Sequence, residues 1–225
     1  LNVLYRQRFS SLSYMGIKME FRNYSMNSKF PPSSFISNDI YGIDGGHVLG
    51  LGFLWSSMEP GSIFSIKRGF DFDLLSMIYS KYMGSEYSFG VNSVDLREKI
   101  FITHSHIISL RFYGRFIMGE APYFMLSSVG DVFRAYSRDL YVDRHLMSFS
   151  GEYKMFLLDF IMLRGILGIA YHSRSFSKFK LNDYLPCYGG GISFVLNKEL
   201  GINAGFEYLA GRNTKAILFG IGEAY

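Results

Sequence analysis

The sequence predicts an all-β protein, a transmembrane antiparallel up-and-down β-barrel formed by a single domain over residues 1–225. Three observations lead to this prediction. Apolar and polar residues alternate with a period of two, as they do in strands whose side chains point to opposite faces. The apolar set is rich in aromatic residues, with 22 Phe and 17 Tyr. The connections between strands also alternate between short and long.

The alternation is clearest in residues 15–22 (MGIKMEFR), where odd-numbered positions are apolar and even-numbered positions are small or charged. Residues 147–157 repeat this pattern. Further segments with the same period are 46–57, 187–197, 200–210 and 215–225, and longer or weaker versions cover 62–72, 87–102, 105–118 and 160–172. These segments amount to roughly ten strands, with an eleventh expected at 1–10.

A soluble β-sandwich also alternates, but strand length and polarity favour a membrane barrel. The segments are about 10 to 14 residues long, whereas soluble strands favour about 5 to 6 and tilted membrane strands need about 9 to 11. The apolar face is large and aromatic, which suits lipid. The other face is charged as well as rich in Gly and Ser, which suits a wet lumen; its charged residues are Lys18, Glu20, Arg22, Arg111, Arg115, Glu152 and Lys154.

The connections and the final strand indicate how such a barrel lies in an outer membrane of a Gram-negative bacterium. Long connections at 24–45, 119–144 and 173–186 are expected on the extracellular side. Short turns are expected near 57–61, 80–86, 102–105, 157–160 and 197–200. The last strand carries Phe219 and Ile221 and ends on Tyr225, as in strands that end at an aromatic girdle. Because hydrocarbon cannot satisfy open backbone groups, we expect the sheet to close.

A series of short motifs precedes the last five strands. They are a lead-in of Gly119, Pro122 and Tyr123, a loop tip at 133–136 (FRAY), a basic stretch at 138–144 and a strand containing Glu152, Tyr153 and Lys154. In this order, residues 95–225 resemble the C-terminal barrel of the bacterial surface antigen family, which includes BamA/TamA-type assembly proteins. Ala135 stands where that family has Gly, and its glycine pair is reduced to Gly130.

The resemblance implies a 16-stranded barrel in which loop 119–144 folds into the lumen. Fewer strands are legible in this sequence, so we expect the chain to be the C-terminal portion of a larger barrel or a reduced relative of the family. It implies insertion or translocation of proteins at the outer membrane, with no cofactor and no metal. The implied partners are outer-membrane lipids including lipopolysaccharide, unfolded outer-membrane proteins and accessory lipoproteins. The implied functional residues are those of the loop and the lumen: Gly130, Phe133, Arg134, Tyr136, Glu152 and Lys154.

The chemistry of Arg134 adds an expectation about its partner. A guanidinium on an inward loop needs an anion, because a partly buried charge is costly when unpaired. Glu152 follows on the lumen face of the next strand, so we expect Arg134 to lie within about 4 Å of it, with Lys154 alongside. In the alternative, Arg134 is solvated in an outer loop.

Two other function classes remain open. One is a passive channel or structural barrel; the other is a lipid-modifying barrel enzyme. The enzyme would need a Ser–His–acid arrangement. The candidate residues for it are His145 with Ser148 and His172 with Ser173. Proximity in sequence does not define a triad, so we expect no enzyme. The net charge of +4 is too mild to indicate nucleic-acid binding.

Overall fold

The computed structural model describes residues 1–25, 41–59, 69–158, 160–176, 182–197 and 202–223. Eleven of its strands form one sheet, in which every neighbouring pair is antiparallel. They are β1 (Asn2–Arg8), β2 (Ser13–Ser25), β3 (Gly45–Glu59), β4 (Gly69–Tyr79), β5 (Phe89–Thr103), β6 (His106–Gly119), β9 (His145–Leu158), β10 (Ile161–Ser173), β11 (Leu185–Asn197), β12 (Ile202–Gly211) and β13 (Thr214–Glu223). Two short strands, β7 (Ser127–Ser128) and β8 (Val142–Asp143), pair with each other between β6 and β9.

The eleven strands follow one another across the sheet in chain order, which confirms the predicted up-and-down fold. Five of them, β9 to β13, come after the loop 119–144, as the motif order indicated. The described part of the chain thus provides eleven strands of the main sheet, short of the sixteen that the family resemblance implies. None of the helices in these described ranges is long and apolar enough to cross a membrane.

The two edges of the sheet are β1 and β13. Eleven strands that alternate in direction leave the first and the last pointing the same way, so a direct pairing of these edges would be parallel. Within the described ranges no ladder joins them. The expected closure of the sheet is therefore not formed by an antiparallel β1–β13 ladder.

The two faces of the sheet have the polarity of a membrane barrel. Ile17, Phe149, Leu167 and Phe206 are exposed on one face. The cross-strand pairing of Phe206 with both Ile192 and Phe219 shows that this apolar face is continuous across strands. The opposite face buries charged residues, namely Glu20, Asp95, Lys154 and Glu207. A soluble protein would bury the first face and expose the second, so the apolar face meets hydrocarbon and the charged face surrounds the lumen.

Strand direction corrects the expected position of one short connection. Residues 80–88 join β4 to β5 and lie at the same end as the connections β2–β3, β6–β9 and β10–β11. There the backbone N–H of Glu86 donates to the carbonyl of His47 at 3.1 Å. The expected turn 80–86 is therefore at the long-loop end. The prediction was wrong because it assigned this connection to the other end by its short length.

A second correction concerns the β3–β4 connection. The ladder continues to the pair Glu59 and Phe70, so β3 extends to Glu59, into the expected turn at 57–61, and β4 begins at Gly69. Residues 60–68 lie outside the described residues. Other expectations fell on further residues outside the described ranges, namely 26–40, Asp159, 177–181, 198–201 and Tyr225.

The topology can be tested by cysteine labelling on intact cells. We expect an impermeant maleimide to label Tyr82→Cys and Asp183→Cys, because both exposed positions lie at the long-loop end, which faces outward in such barrels. His104→Cys, at the β5–β6 turn, should react only after the outer membrane is permeabilised. The native Cys187 is buried and should not react with the maleimide. Equal labelling of positions 82 and 104 on intact cells would contradict this topology.

Candidate functional site

The loop 119–144 lies inside the barrel, on the charged face of the sheet. Val129, Phe133 and Tyr136 are buried in one apolar cluster with wall residues of β9 to β12, namely Leu146, Ala170, Leu185, Cys187 and Leu209. Each of these wall residues alternates with outward-facing neighbours such as Phe149 and Tyr208. The loop therefore occupies the lumen rather than covering it from above.

Two glycines of the wall make room for the rings of the loop. A Cβ atom on Gly168 would lie 2.6 Å from Cζ of Phe133, and one on Gly211 would collide with the ring of Tyr136. The Tyr136 hydroxyl donates to the carbonyl of Pro186 at 2.5 Å and accepts from the backbone N–H of Arg212 at 2.8 Å. Burial raises the pKa of Tyr136, so its hydroxyl remains a neutral donor.

The first half of the loop is held by the opposite part of the wall. Ala121 and Met125 are buried against inward residues of β3 to β6, among them Val48, Tyr79 and Phe89. The guanidinium of Arg115 donates to the carbonyl of Met125 at 2.9 Å. Since the second half packs on β9 to β12, the loop spans the interior from one side of the wall to the other.

The base of the loop has its own hydrogen bonds. Ser128 and Asp131 form a capping box at the 3₁₀ turn Val129–Asp131. The Ser128 hydroxyl accepts from the N–H of Gly130 at 3.1 Å. A Cβ on Gly130 would lie 2.7 Å from the backbone N of Arg138, so a larger residue would force the chain apart here. Gly130 thus shapes the loop.

Arg134 meets a different carboxylate from the one expected. Its Nη2 lies 2.7 Å from Oε2 of Glu207, and no ion pair joins it to Glu152 within the described ranges. Arg164 stands between the two carboxylates, paired through Nη1 with Glu207 and through Nε with Oε1 of Glu152 at 3.0 Å. Lys154 Nζ completes the group at 3.3 Å from the same Glu152 oxygen. We call these five residues the Glu207 cluster.

The register of three strands explains why Glu207 is the partner. Arg164 on β10, Gly191 on β11 and Glu207 on β12 lie in one row across the sheet. Gly191 has no side chain, so Arg164 can reach over β11 to Glu207. Sequence reasoning did not identify Arg164 or Glu207 as site residues, because the contact between them depends on cross-strand register. The available signal was a single inward glycine, Gly191, between two charged inward positions on the neighbouring strands.

Two further clusters on the inner face also pair a carboxylate with two cations. In the Asp95 cluster, Arg111 donates to both oxygens of Asp95, at 2.9 and 2.8 Å, and Arg97 donates to one of them. In the Glu20 cluster, Lys18 lies 3.1 Å from the Glu20 carboxylate and Arg22 pairs with it directly. The Tyr79 hydroxyl also donates to Glu20, at 3.3 Å.

In all three clusters the carboxylate is buried and an arginine above it is exposed. The exposed fractions of the side chains are 2% for Glu20 against 50% for Arg22, 10% for Asp95 against 45% for Arg97, and 10% for Glu207 against 59% for Arg134. The interior therefore retains open space beside the loop. Guanidinium groups face that space, where they can bind anions through paired N–H donors.

The remaining candidates lie elsewhere. Phe219 and Ile221 project to the lipid side of β13 and are 63% and 68% exposed. His172 Nδ1 lies 3.5 Å from Asp143, but the Ser173 hydroxyl donates to the carbonyl of Ser175 at 2.8 Å. Ser148 is paired across the sheet with Tyr113 and Ala170. The described contacts of His172 and Ser173 are therefore made with different partners.

No protein-family model matches the chain. No curated protein matches it either. Among solved structures, a KdgM porin in complex with disordered oligogalacturonate is similar at a TM-score of 0.43 and 10% identity, and a KdgM porin at 0.41 and 11%. Each similarity covers 100% of this chain and 99% of the other. At this level the similarity transfers no solute or activity to the present chain.

The fold and its two faces nevertheless define the class of protein. An up-and-down antiparallel sheet with an aromatic, exposed outer face and a charged, Gly-rich inner face is the architecture of outer-membrane barrels. The chain is a multi-pass β-barrel of the bacterial outer membrane.

The fit between Phe133 and Gly168 leads to a prediction about the loop. Gly168→Ala should expel the ring and free residues 129–138, because the new Cβ overlaps Phe133. Overpacking of about 1 to 3 kcal/mol would speed amide exchange in the loop by about 5- to 150-fold. Hydrogen exchange followed by mass spectrometry measures this effect.

Gly165→Ala is the matched control, since it lies on the same strand and its new methyl group would have no other atom within 4 Å. It should leave loop exchange unchanged. Equal exchange of the loop in both variants would show that Phe133 does not hold it in the lumen.

Proposed function

We propose that the protein is a passive channel of the outer membrane that prefers anionic solutes. The observation that carries this proposal is the shared geometry of the Glu20, Asp95 and Glu207 clusters, with buried carboxylates and exposed guanidinium groups. A pore with walls of low dielectric constant concentrates ions of the opposite sign to its lining. The lining offered to solutes here is cationic.

The charge balance of the three clusters also supports a positively charged inner wall. The three clusters contain seven cationic side chains and four carboxylates. Four other charged residues on this face of β4 to β6 balance one another: Asp71, Asp73, Lys99 and Arg115. An excess of positive charge thus remains on the inner wall, and salt should weaken its effect because the Debye length is only about 8 Å at physiological ionic strength.

The loop 119–144 would set the size of the solutes. It crosses the interior between two parts of the wall, and Arg134 stands at its tip beside the open space. A solute would pass between the loop and the wall, close to Arg134 and the exposed arginines. This arrangement combines a steric limit with a charge preference.

Insertion or translocation of outer-membrane proteins is the second candidate. It is favoured by the inward loop whose arginine touches the wall, the arrangement implied by the resemblance to BamA/TamA-type proteins. Unfolded outer-membrane proteins and accessory lipoproteins would be its partners. Depletion of the protein should then lower the levels of many other outer-membrane barrels, whereas depletion of a channel should leave them unchanged. Neither candidate includes a catalytic step.

The channel proposal predicts anion selectivity in planar lipid bilayers. Under a KCl gradient, the reversal potential of the purified protein should give a chloride-to-potassium permeability ratio above one. The triple variant Arg22→Gln, Arg97→Gln, Arg134→Gln should lower the ratio towards or below one, because three exposed charges leave the lumen.

Arg212→Gln is the control, because it removes one charge from the β12–β13 connection, where Arg212 pairs with Asp183. It should have little effect on selectivity. A wild-type channel that prefers potassium would contradict the proposal, and an absence of conductance would favour the assembly role.

A further inference from the structure

The two arginines of the Glu207 cluster hold Glu207 in different ways. Arg164 donates a hydrogen bond to Oε1 of Glu207, and its Nε pairs with Glu152. Arg134 lies 2.7 Å from the other oxygen, Oε2, which accepts no hydrogen bond from a described residue. The side chain of Arg134 is 59% exposed, whereas that of Arg164 is 14% exposed. Glu207 is therefore held mainly by Arg164, and Arg134 is the looser partner.

Arg134 is also the surplus charge of the cluster. Without it, the cations Arg164 and Lys154 balance the carboxylates Glu152 and Glu207. If the side chain of Arg134 moves away, no carboxylate of the cluster is left without a cation, so the large cost of an isolated buried charge does not arise. The guanidinium of Arg134 can therefore leave Glu207 while the wall keeps its own pairing.

The loop fixes the backbone of Arg134 and leaves its side chain exposed. The residues on either side, Phe133 and Ala135, are buried, and so is Tyr136, whose hydroxyl is bonded to β11 and to the β12–β13 connection. Binding to a guanidinium on a fixed backbone orders fewer groups than binding to one on a mobile loop, and so costs less entropy. Arg134 is thus a preorganised donor beside the open space of the lumen.

We propose that Arg134 binds the oxyanion group of a solute, a carboxylate or a phosphate, and that its guanidinium exchanges between Glu207 and that group. This inference rests on the channel proposed above and adds a specific site to its general preference for anions. A guanidinium offers two parallel N–H donors, which fit the paired oxygens of a carboxylate or phosphate and do not fit a chloride ion. Arg164 is then a positioning residue, because it holds Glu207 while Arg134 binds the solute.

Inorganic phosphate is the probe for this site. It is titrated into KCl at constant ionic strength while the chloride current is measured in planar lipid bilayers. We expect phosphate to reduce the wild-type current until the site is saturated. Arg134→Gln should raise the half-blocking concentration about tenfold, because a charge-assisted hydrogen bond is lost. Arg134→Lys should also raise it but should keep the preference for chloride over potassium, because an ammonium group retains the charge and lacks the paired donors.

Two variants of the wall should act in opposite directions. Arg164→Gln should weaken the phosphate block, because Arg134 is then the only arginine left at Glu207. Glu207→Gln should strengthen the block, because the competing carboxylate is gone; damage to the fold would instead weaken it in both variants. Arg138→Gln is the matched control on the same loop. It removes an arginine that is 82% exposed and pairs with Asp131 of the loop itself, so it should leave the block unchanged.

Modification of arginines by phenylglyoxal, followed by peptide mass spectrometry, tests the site without a current. Phosphate should slow the modification of Arg134 and leave that of Arg138 unchanged. An unprotected Arg134, or a chloride-selective channel in which phosphate blocks the wild type and Arg134→Lys equally, would overturn this inference and leave the channel proposal standing. If the wild type preferred potassium, the channel proposal would fail, and the protection of Arg134 would still decide whether the binding site exists.

Discussion

The hydrocarbon interior of a membrane offers no hydrogen bonds, and the rest of the structure depends on this constraint. Backbone groups must pair from strand to strand, which makes the antiparallel ladder from β1 to β13 the basis of the fold. Because side chains alternate along each strand, the ladder also sorts them into two environments. Aromatic and aliphatic residues meet lipid, and charged residues are confined to the interior. Each inward charge must then find its partner on a neighbouring strand or on the loop.

The inward-facing charges are paired in the same way in all three clusters. Each of the three buried carboxylates is compensated by at least two cations, so no carboxylate is left as an isolated buried charge. Glycines in the wall serve two different purposes: Gly191 lets Arg164 reach across a strand, while Gly168 accepts a ring of the loop. The loop that narrows the lumen and the arginines that give it a positive lining are thus positioned by the same wall.

The sequence predicted the parts of this structure that depend on local pattern. A period of two defines strands such as β2 and β9 without any knowledge of their neighbours, and their polarity identifies the lipid side. The predicted partner of Arg134 was wrong, because Glu152 is near in sequence whereas Glu207 is near through the register of β10, β11 and β12. The side of the 80–88 connection likewise follows from counting strands and not from its length. Pairing between distant strands is set by the whole ladder, which no single segment contains.

The central claim is that one face of each strand meets lipid and the other meets a water-accessible lumen. Spin labels placed one at a time along β9 in lipid vesicles test it most directly, through their collisions with oxygen, which partitions into hydrocarbon, and with a water-soluble nickel chelate. Labels at 149, 151, 153 and 155 should favour oxygen, and labels at 148, 150, 152 and 154 should favour the chelate, a period of two in opposite phase. Chelate access to both faces, or oxygen access that does not alternate, would contradict a membrane-spanning barrel.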